Sequence, residues 1–316
     1  MKTFAIIALV GVASLALYSM APSVESGVET QFQEFLATYG QNYGTTEEYN
    51  YRLGVFKANL ESIAEMNKEE GVEFGVNEFA DQTPQEFAVR FGFKQPVGTK
   101  KSTATHIKAV EGENINWSDM WTDVKNQGAC GSCWAFSAAA AFESRYQLAH
   151  GETNTDKLYS EQELVDCEPQ SDGCEGGLMD FAFEYLIDSA FCTEQQYPYT
   201  ARDESCKVTK CAGGPNDAGF TDVPEKDEQA LVDELMSGPV AVAVDASRWQ
   251  FYRKGIFSTC NDNLNHGVTL VAVNFDEESL TIRNSWGKSW GENGHIRLAL
   301  NKNTCGVAEA ASVPTF

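Results

Sequence analysis

Basic residues are scarce in this chain. Its 316 residues hold 23 Lys and Arg against 46 Asp and Glu, a formal charge of −23 at neutral pH. Residues 22–110 carry 8 basic and 13 acidic side chains, and residues 111–316 carry 14 and 33, so the excess is spread rather than confined to a tail. Such a surface repels polyanions, which argues against nucleic acid or anionic membranes as partners. Long apolar runs are missing beyond the first twenty or so residues, so nothing later reads as a bilayer-spanning helix or membrane anchor. Cysteine is absent before residue 130, and histidine occurs only four times in the whole chain. Any chemistry that needs an imidazole has few candidates.

What is present begins with Lys2 and an apolar stretch from Phe4 to Leu17, followed by Ser19-Met20-Ala21. Met1–Ala21 reads as a secretory signal peptide, its apolar core being short for a signal anchor. The expected route is the secretory pathway, ending in a lysosome-like acidic compartment or outside the cell. All nine cysteines follow residue 129, an odd number. One free thiol and four disulfides account for them in an oxidising compartment. Cys130 and Cys133 could instead form a redox or zinc pair, but no second ligand pair stands at zinc spacing.

The densest signal is Gln127 to Phe136, Gln-Gly-Ala-Cys-Gly-Ser-Cys-Trp-Ala-Phe. A run of strong helix formers follows it and closes at Gly151, a glycine suited to a helix C-cap. Cys133 thus falls at a helix N-terminus, where open N–H groups and the helix dipole favour a thiolate. Among the histidines, His106 lies in a polar stretch and reads as solvated. His150 ends the Cys133 helix, where a cation suits the dipole, and His295 reads as a turn or strand start. His266 differs, because Asn265-His266-Gly267 opens the apolar run Val268–Val273 and so stands at the mouth of a buried strand. Asn284 ends a second strand-like run, Leu280–Arg283, and precedes Ser285-Trp286-Gly287-Lys288-Ser289-Trp290-Gly291. A cysteine, a histidine and an amide to orient it make a nucleophile, a base and an orienting group.

These motifs and their spacing resemble the papain-like cysteine peptidases, whose Cys-Gly-Ser-Cys-Trp precedes the His and Asn by roughly 130–150 residues; here the separations are 133 and 151. The resemblance covers nearly the whole chain. Glu48, Arg52, Phe56, Asn59, Ile63 and Asn67 line one face of a helix by spacing alone. Their residue types, with Gly75-Val76-Asn77-Glu78-Phe79-Ala80-Asp81, resemble the two propeptide signatures of the cathepsin L-like branch. Thr83-Pro84-Gln85-Glu86 adds a capping-box start for a short helix. The implied organisation is a signal peptide (1–21), an inhibitory propeptide (22–110) and a peptidase domain (111–316). The implied fold is α+β and two-lobed, with a helical lobe over about 117–220, a β-barrel-like lobe over about 221–316, and the cleft between them.

The same resemblance assigns roles. Cys133 is the nucleophile, His266 its proton partner, Asn284 the orienting amide and Trp286 its shield; Gln127 and the Cys133 N–H form the oxyanion hole. In such pairs the thiol pKa can fall to roughly 3–4. Cys130 is expected to pair with Cys174, Cys167 with Cys206 and Cys260 with Cys305; the leftover Cys192 and Cys211 imply a fourth bridge. Gly176 and Gly177 imply a wall on which a peptide pairs as an added strand. Leu178, Met179, Ala243, Asn265 and Ala310 imply an apolar S2 pocket favouring Leu, Phe or Val at P2, and Trp290 joins the substrate-binding set. The absence of a His-rich insert favours endopeptidase over dipeptidase action. The resemblance implies peptide and protein substrates, a monomer, and no metal or cofactor. A catalytically dead scaffold would lack one of Cys133, His266 and Asn284, and a silica-templating relative would carry Ser in place of the cysteine. Arg52 is the expected partner of the Asp81 carboxylate, a pair that acid would loosen, and Asn116-Trp117-Ser118 fits a glycosylation sequon.

Overall fold

A computed structural model describes residues 24–94, 113–117, 122–151, 158–208, 211, 214–261 and 263–316. The signal peptide, His106, the processing point near residue 110 and Ser118 of the sequon lie outside them. Contacts separate the residues up to Asn42 from a second unit, Tyr43–Phe316. The first unit holds helix α1 (Val24–Tyr39), along which Phe32 stacks on Phe35 with centroids 5.9 Å apart.

The second unit opens with α2 (Thr46–Met66). Thr45 caps it by accepting the Glu48 N–H, and Glu47 and Glu48 suit its positive end. The face expected from spacing is there, with Phe56, Asn59 and Ile63 buried. Its polar members anchor the chain that follows: Asn59 donates to the carbonyls of Ala80 and Gln82, and Asn67 pairs through both amide atoms with the Phe74 backbone. Arg52 departs from expectation. Its guanidinium donates to the backbone oxygen of Asp81 at 3.0 Å and forms its ion pair with Glu86 at 2.8 Å. The Asp81 carboxylate instead accepts the Tyr43 hydroxyl at 2.6 Å. The reason is local: Thr83 and Glu86 close a full capping box at the start of α3 (Pro84–Phe87), which fixes the Glu86 carboxylate where Arg52 can reach it.

Three helices build one side of the cleft: α4 (Cys133–His150), α5 (Glu161–Cys167) and α6 (Met179–Asp188). Gly151 ends α4 in the left-handed conformation expected of it. Ser160 caps α5 by accepting the Glu163 N–H, but the Glu163 carboxylate does not return the bond. It accepts from the Cys192 N–H and the Tyr185 hydroxyl instead, so the capping box is half-formed and the carboxylate ties α5 to its neighbours. Trp134, Phe142, Leu164 and Phe183 fill the core of this side.

The other side is a twisted sheet. Its strands are β1 (Val72–Phe74), β2 (Ile115–Asn116), β3 (Gly219–Asp222), β4 (Val240–Val244), β5 (Tyr252–Phe257), β6 (His266–Asn274), β7 (Ser279–Arg283), β8 (His295–Ala299) and β9 (Ala311–Thr315). They run in the order β1-β5-β8-β7-β6-β4-β9-β3, with β2 on β6, and only β5–β8 is a parallel pair. Trp249, Trp286, Trp290 and Tyr252 dominate its core. A division at about residue 220 is too simple. β1 and β2 join the sheet from upstream of the helices, helix α7 (Glu228–Leu235) lies in the later half, and the Phe316 ring returns to within 5.0 Å of Phe142 on α4. Such long-range pairings leave no local periodicity to read.

The two sides meet where α4 lies on β6. Ser137 Oγ donates to the Val268 carbonyl at 2.5 Å. A Cβ on Gly267 would stand 3.1 Å from Trp134 Cα, so any larger residue would push strand and helix apart by a few tenths of an ångström.

Candidate active site

Cys133 is the first residue of α4 and the free cysteine of the chain. The other eight are joined as Cys130–Cys174, Cys167–Cys206, Cys192–Cys211 and Cys260–Cys305. No side chain caps α4; the Ser132 hydroxyl is engaged with the Tyr199 hydroxyl at 2.6 Å, which leaves the first N–H groups of the helix to the thiol. The Cys130–Cys174 bridge, with the Gly131 N–H on the Cys174 carbonyl at 2.9 Å, fixes this helix start to the Gly176-Gly177 wall.

His266 opens β6, and Gly267 beside it donates its N–H to Cys133 Sγ at 3.3 Å. Its Nε2 lies 2.8 Å from Asn284 Oδ1. Trp286 stacks on the imidazole at 4.8 Å, and Phe91 and Trp249 complete its surroundings. With Nε2 taken by Asn284, the buried Nδ1 makes no hydrogen bond.

Gln127 is placed by its neighbours in sequence. Half-buried Lys125 bridges Glu143 on α4 and Glu161 on α5 at 3.0 and 2.6 Å, and Asn126 pairs with Trp286. Burial works against the Lys125 charge, but the two carboxylates outweigh it and raise its pKa. Ser285, which the sequence reading passed over, ties the site together. Its hydroxyl donates to Gln127 Oε1 at 2.7 Å, its N–H to Asn284 Oδ1 at 2.8 Å, and its carbonyl accepts the Gln127 N–H at 2.9 Å. This fixes which end of the Gln127 amide faces the cleft: Nε2 donates to Cys130 O at 2.8 Å and to Arg90 O at 2.9 Å.

Arg90 belongs to a segment of the chain's own that threads the cleft. Gly92 N–H points at Cys133 Sγ at 3.2 Å. Gly177 N–H donates to Gly92 O at 2.9 Å, Lys94 N–H to Gly177 O at 3.1 Å, and Phe93 N–H to Asn265 O at 3.1 Å. Phe93 thereby pairs in parallel with Gly177, and its ring belongs to the apolar cluster of Leu178, Met179, Ala243 and Leu264, with Ala310 packed against it. Asn265 offers that pocket only its backbone. Its side chain turns away, accepting the Ala246 N–H at 2.9 Å and donating to Ser247 Oγ at 2.8 Å. Trp290 is wholly buried, its indole on the Trp249 carbonyl, so it is a core residue under the site rather than a lining one in this state. Nothing in the sequence marks Gly92; its need for glycine shows only in the structure, where a Cβ would stand 1.6 Å from Gly131 O.

Burial pushes the Cys133 thiol up to about 11, against the pull of the N–H groups of Gly267, Gly92 and the helix start. Burial also lowers His266 to about 4, with the Asn284 bond opposing. In the closed cleft burial disfavours both the thiolate and the imidazolium, because each charged form loses its water.

Residues 112–315 match the papain family of cysteine proteases, and residues 32–87 match the cathepsin propeptide inhibitor domain. The chain belongs to the papain family. Cathepsin L 1 of Paramecium tetraurelia is 43% identical over 286 residues, covering 87% of this chain and 89% of that one. Among solved structures, digestive procathepsin L 3 of the Tenebrio molitor larval midgut superposes with a TM-score of 0.82 at 35% identity, over 92% of this chain and 99% of that one. The recombinant stem bromelain precursor gives 0.82 at 33%, over 92% and 99%. This papain-family protease is thus made as a proenzyme with a propeptide. The α+β fold with the propeptide ahead of it is the one these relatives share.

Proposed function

We propose that this protein is a cysteine endopeptidase of a lysosome-like compartment or the extracellular space, in which Cys133, His266, Asn284 and Gln127 carry the chemistry. The observation that carries the reading is the junction at Cys133: a free thiol at a helix N-terminus against the backbone of His266–Gly267, with His266 held by Asn284. Removal of the propeptide returns water to the cleft, and the cost of charging both partners falls. The proton then moves from Cys133 to His266 Nδ1. The thiolate attacks a peptide carbonyl, and the developing oxyanion takes the Gln127 Nε2–H bond that Arg90 O occupies in the proenzyme. His266 gives its proton to the leaving amine, and water releases the acyl group from sulfur.

Latency follows from what the segment presents. The atom facing the sulfur is the Gly92 nitrogen, not a carbonyl carbon, so the nucleophile meets a donor and no electrophile. Phe93 in the Leu178–Met179–Ala243 cluster supports a pocket that takes a large apolar P2 side chain. The division into signal peptide 1–21, propeptide 22–110 and enzyme 111–316, the secretory route and a monomeric enzyme complete the reading. Four disulfides fit an oxidising route. Cys133→Ser is the test: the variant should fold, retain its propeptide after acid treatment, and cleave no fluorogenic peptide. Turnover equal to the parent in a folded Cys133→Ser protein rejects the mechanism.

A further inference from the structure

Tyr199 has no part in the chemistry described so far, yet its hydroxyl reaches both halves of the proposed oxyanion hole. It donates to the Gln127 carbonyl at 2.8 Å and lies 2.6 Å from Ser132 Oγ. A phenol has one proton to give. The Gln127 carbonyl can only accept it, so the Ser132 hydroxyl must donate to the phenol oxygen, and a directed chain runs from Ser132 through Tyr199 to Gln127. Gln127 carries the side-chain donor of the hole, and Ser132 directly precedes Cys133, whose N–H is the other donor. Burial raises the phenol above its usual range, with Glu161, Cys133 and Asp203 adding to the shift and the Ser132 bond opposing it, so the proton stays on. The tyrosine is itself fixed. Tyr197 donates its hydroxyl to Asp166 on α5 at 2.7 Å, the Thr200 N–H donates to Gln162 Oε1 at 2.8 Å, and the Tyr199 ring stands edge-on to Phe136 of α4 at 4.8 Å. The Cys192–Cys211 and Cys167–Cys206 bridges hold this loop on either side of it.

Resting on the peptidase reading above, we propose that Tyr199 is a positioning residue for the reaction, its hydroxyl setting the spacing between the Gln127 amide and the Cys133 N–H that together bind the oxyanion. The Gln127 backbone is gripped from two sides. The Ser285 carbonyl takes its N–H at 2.9 Å from the sheet side, and the phenol gives a proton to its carbonyl from the helical side. Without the phenol, the Gln127 carbonyl loses that proton and the Ser132 hydroxyl loses its acceptor, so each returns to the disorder that the bond suppressed. Donors preorganised for a developing charge act only when they stand where that charge will form, and a displacement of about 1 Å costs on the order of a hundredfold in rate. Tyr199 acts through these two donors and not on the substrate.

The test compares Tyr199→Phe with the parent, both acid-processed, on a fluorogenic peptide with Phe at P2, with the fold checked by thermal melting. The substitution should lower kcat by about 10- to 100-fold, short of the loss of a whole donor, and leave KM nearly unchanged. Alkylation of Cys133 by iodoacetamide, which passes through no oxyanion, should keep the parent's rate. In a Gln127→Ala background the same substitution should cost several-fold less, because the donor it places is already gone. Ser132→Ala removes one arm of the chain and should lower kcat by less than Tyr199→Phe does; if Tyr199→Phe does not fold, an unchanged kcat in Ser132→Ala overturns the proposal. So does an unchanged kcat in a folded Tyr199→Phe protein, an equal loss in the Gln127→Ala background, or alkylation slowed as much as hydrolysis. A parent that hydrolyses no peptide although Cys133 is open to alkylation overturns the peptidase reading and this inference with it.

Discussion

A Cβ placed on Gly92 would stand 1.6 Å from the carbonyl oxygen of Gly131, too close for any side chain. Gly92→Ala must therefore lift the segment off Cys133. Overpacking of this kind costs about 1–3 kcal/mol, so alkylation of the thiol in the intact proenzyme at neutral pH should be roughly 5- to 150-fold faster than in the parent; an unchanged rate contradicts the seal. Gln127 is tested in the processed enzyme. Gln127→Ala should lower kcat by about 10²–10³, or roughly 2.7–4 kcal/mol of oxyanion stabilisation, with KM little changed; a loss under tenfold removes it from that role. At this scale the sequence was most informative about residues that chemistry constrains. Cys133, His266, Asn284 and Gln127 could be named because their types and order are restrictive. Ser285 could not, because its serine becomes meaningful only when the distant Gln127 amide is seen on its hydroxyl.

Between elements, the contact that matters for activation joins α2 to α3. The hydrogen bond from Arg52, first among several causes, holds the Glu86 carboxyl below its ordinary range. A depressed carboxyl stabilises the folded form above its unfolded pKa, near 4.5, and that stabilisation is lost as pH falls through the folded value. Both partners are partly exposed, so the effect is modest. In a Cys133→Ser background, Glu86→Gln should make the propeptide easier to proteolyse at pH 7, and the gap from the parent should close as pH drops below 4. A gap that persists undiminished at low pH excludes the pair as an acid-sensitive latch. Here the sequence was half legible. The helical face of α2 and the Thr83 capping box follow from spacing, but spacing does not say which of two nearby carboxylates, Asp81 or Glu86, Arg52 will find. The strands were legible where apolar runs were continuous, as in β6. β1 was not, since Val72–Phe74 is a strand only because the edge of β5 is there to pair with it.

Over the whole molecule, buried carboxyls oppose the effect of Glu86. Burial pushes Glu163 up to about 7, against the bonds from Cys192 and Tyr185, and pushes Asp217 up to about 8, against the Gly219 amide. A carboxyl whose folded pKa is raised leaves the folded state holding more protons than the unfolded one between the two values, so stability falls as pH rises through that window. The peptidase body should therefore be more stable near pH 5 than near pH 8. Asp217→Asn should flatten that slope in thermal melts of the Cys133→Ser protein, chiefly at the alkaline end; an unchanged slope removes Asp217 from the account. The fold that carries these groups joins a helical core to a sheet that draws strands from both ends of the second unit, and composition alone does not reveal that closure. The central claim is that Cys133 is the nucleophile and that the chain's own segment 90–94 keeps it silent. The most direct measurement is labelling by a thiol-directed electrophile, read by mass spectrometry beside peptide hydrolysis, before and after acid processing. The account predicts neither labelling nor hydrolysis in the intact chain at neutral pH. After processing it predicts a single label, on Cys133, with activity lost in proportion to its occupancy. An intact chain that hydrolyses peptides, or a processed one that stays active with Cys133 fully labelled, contradicts it.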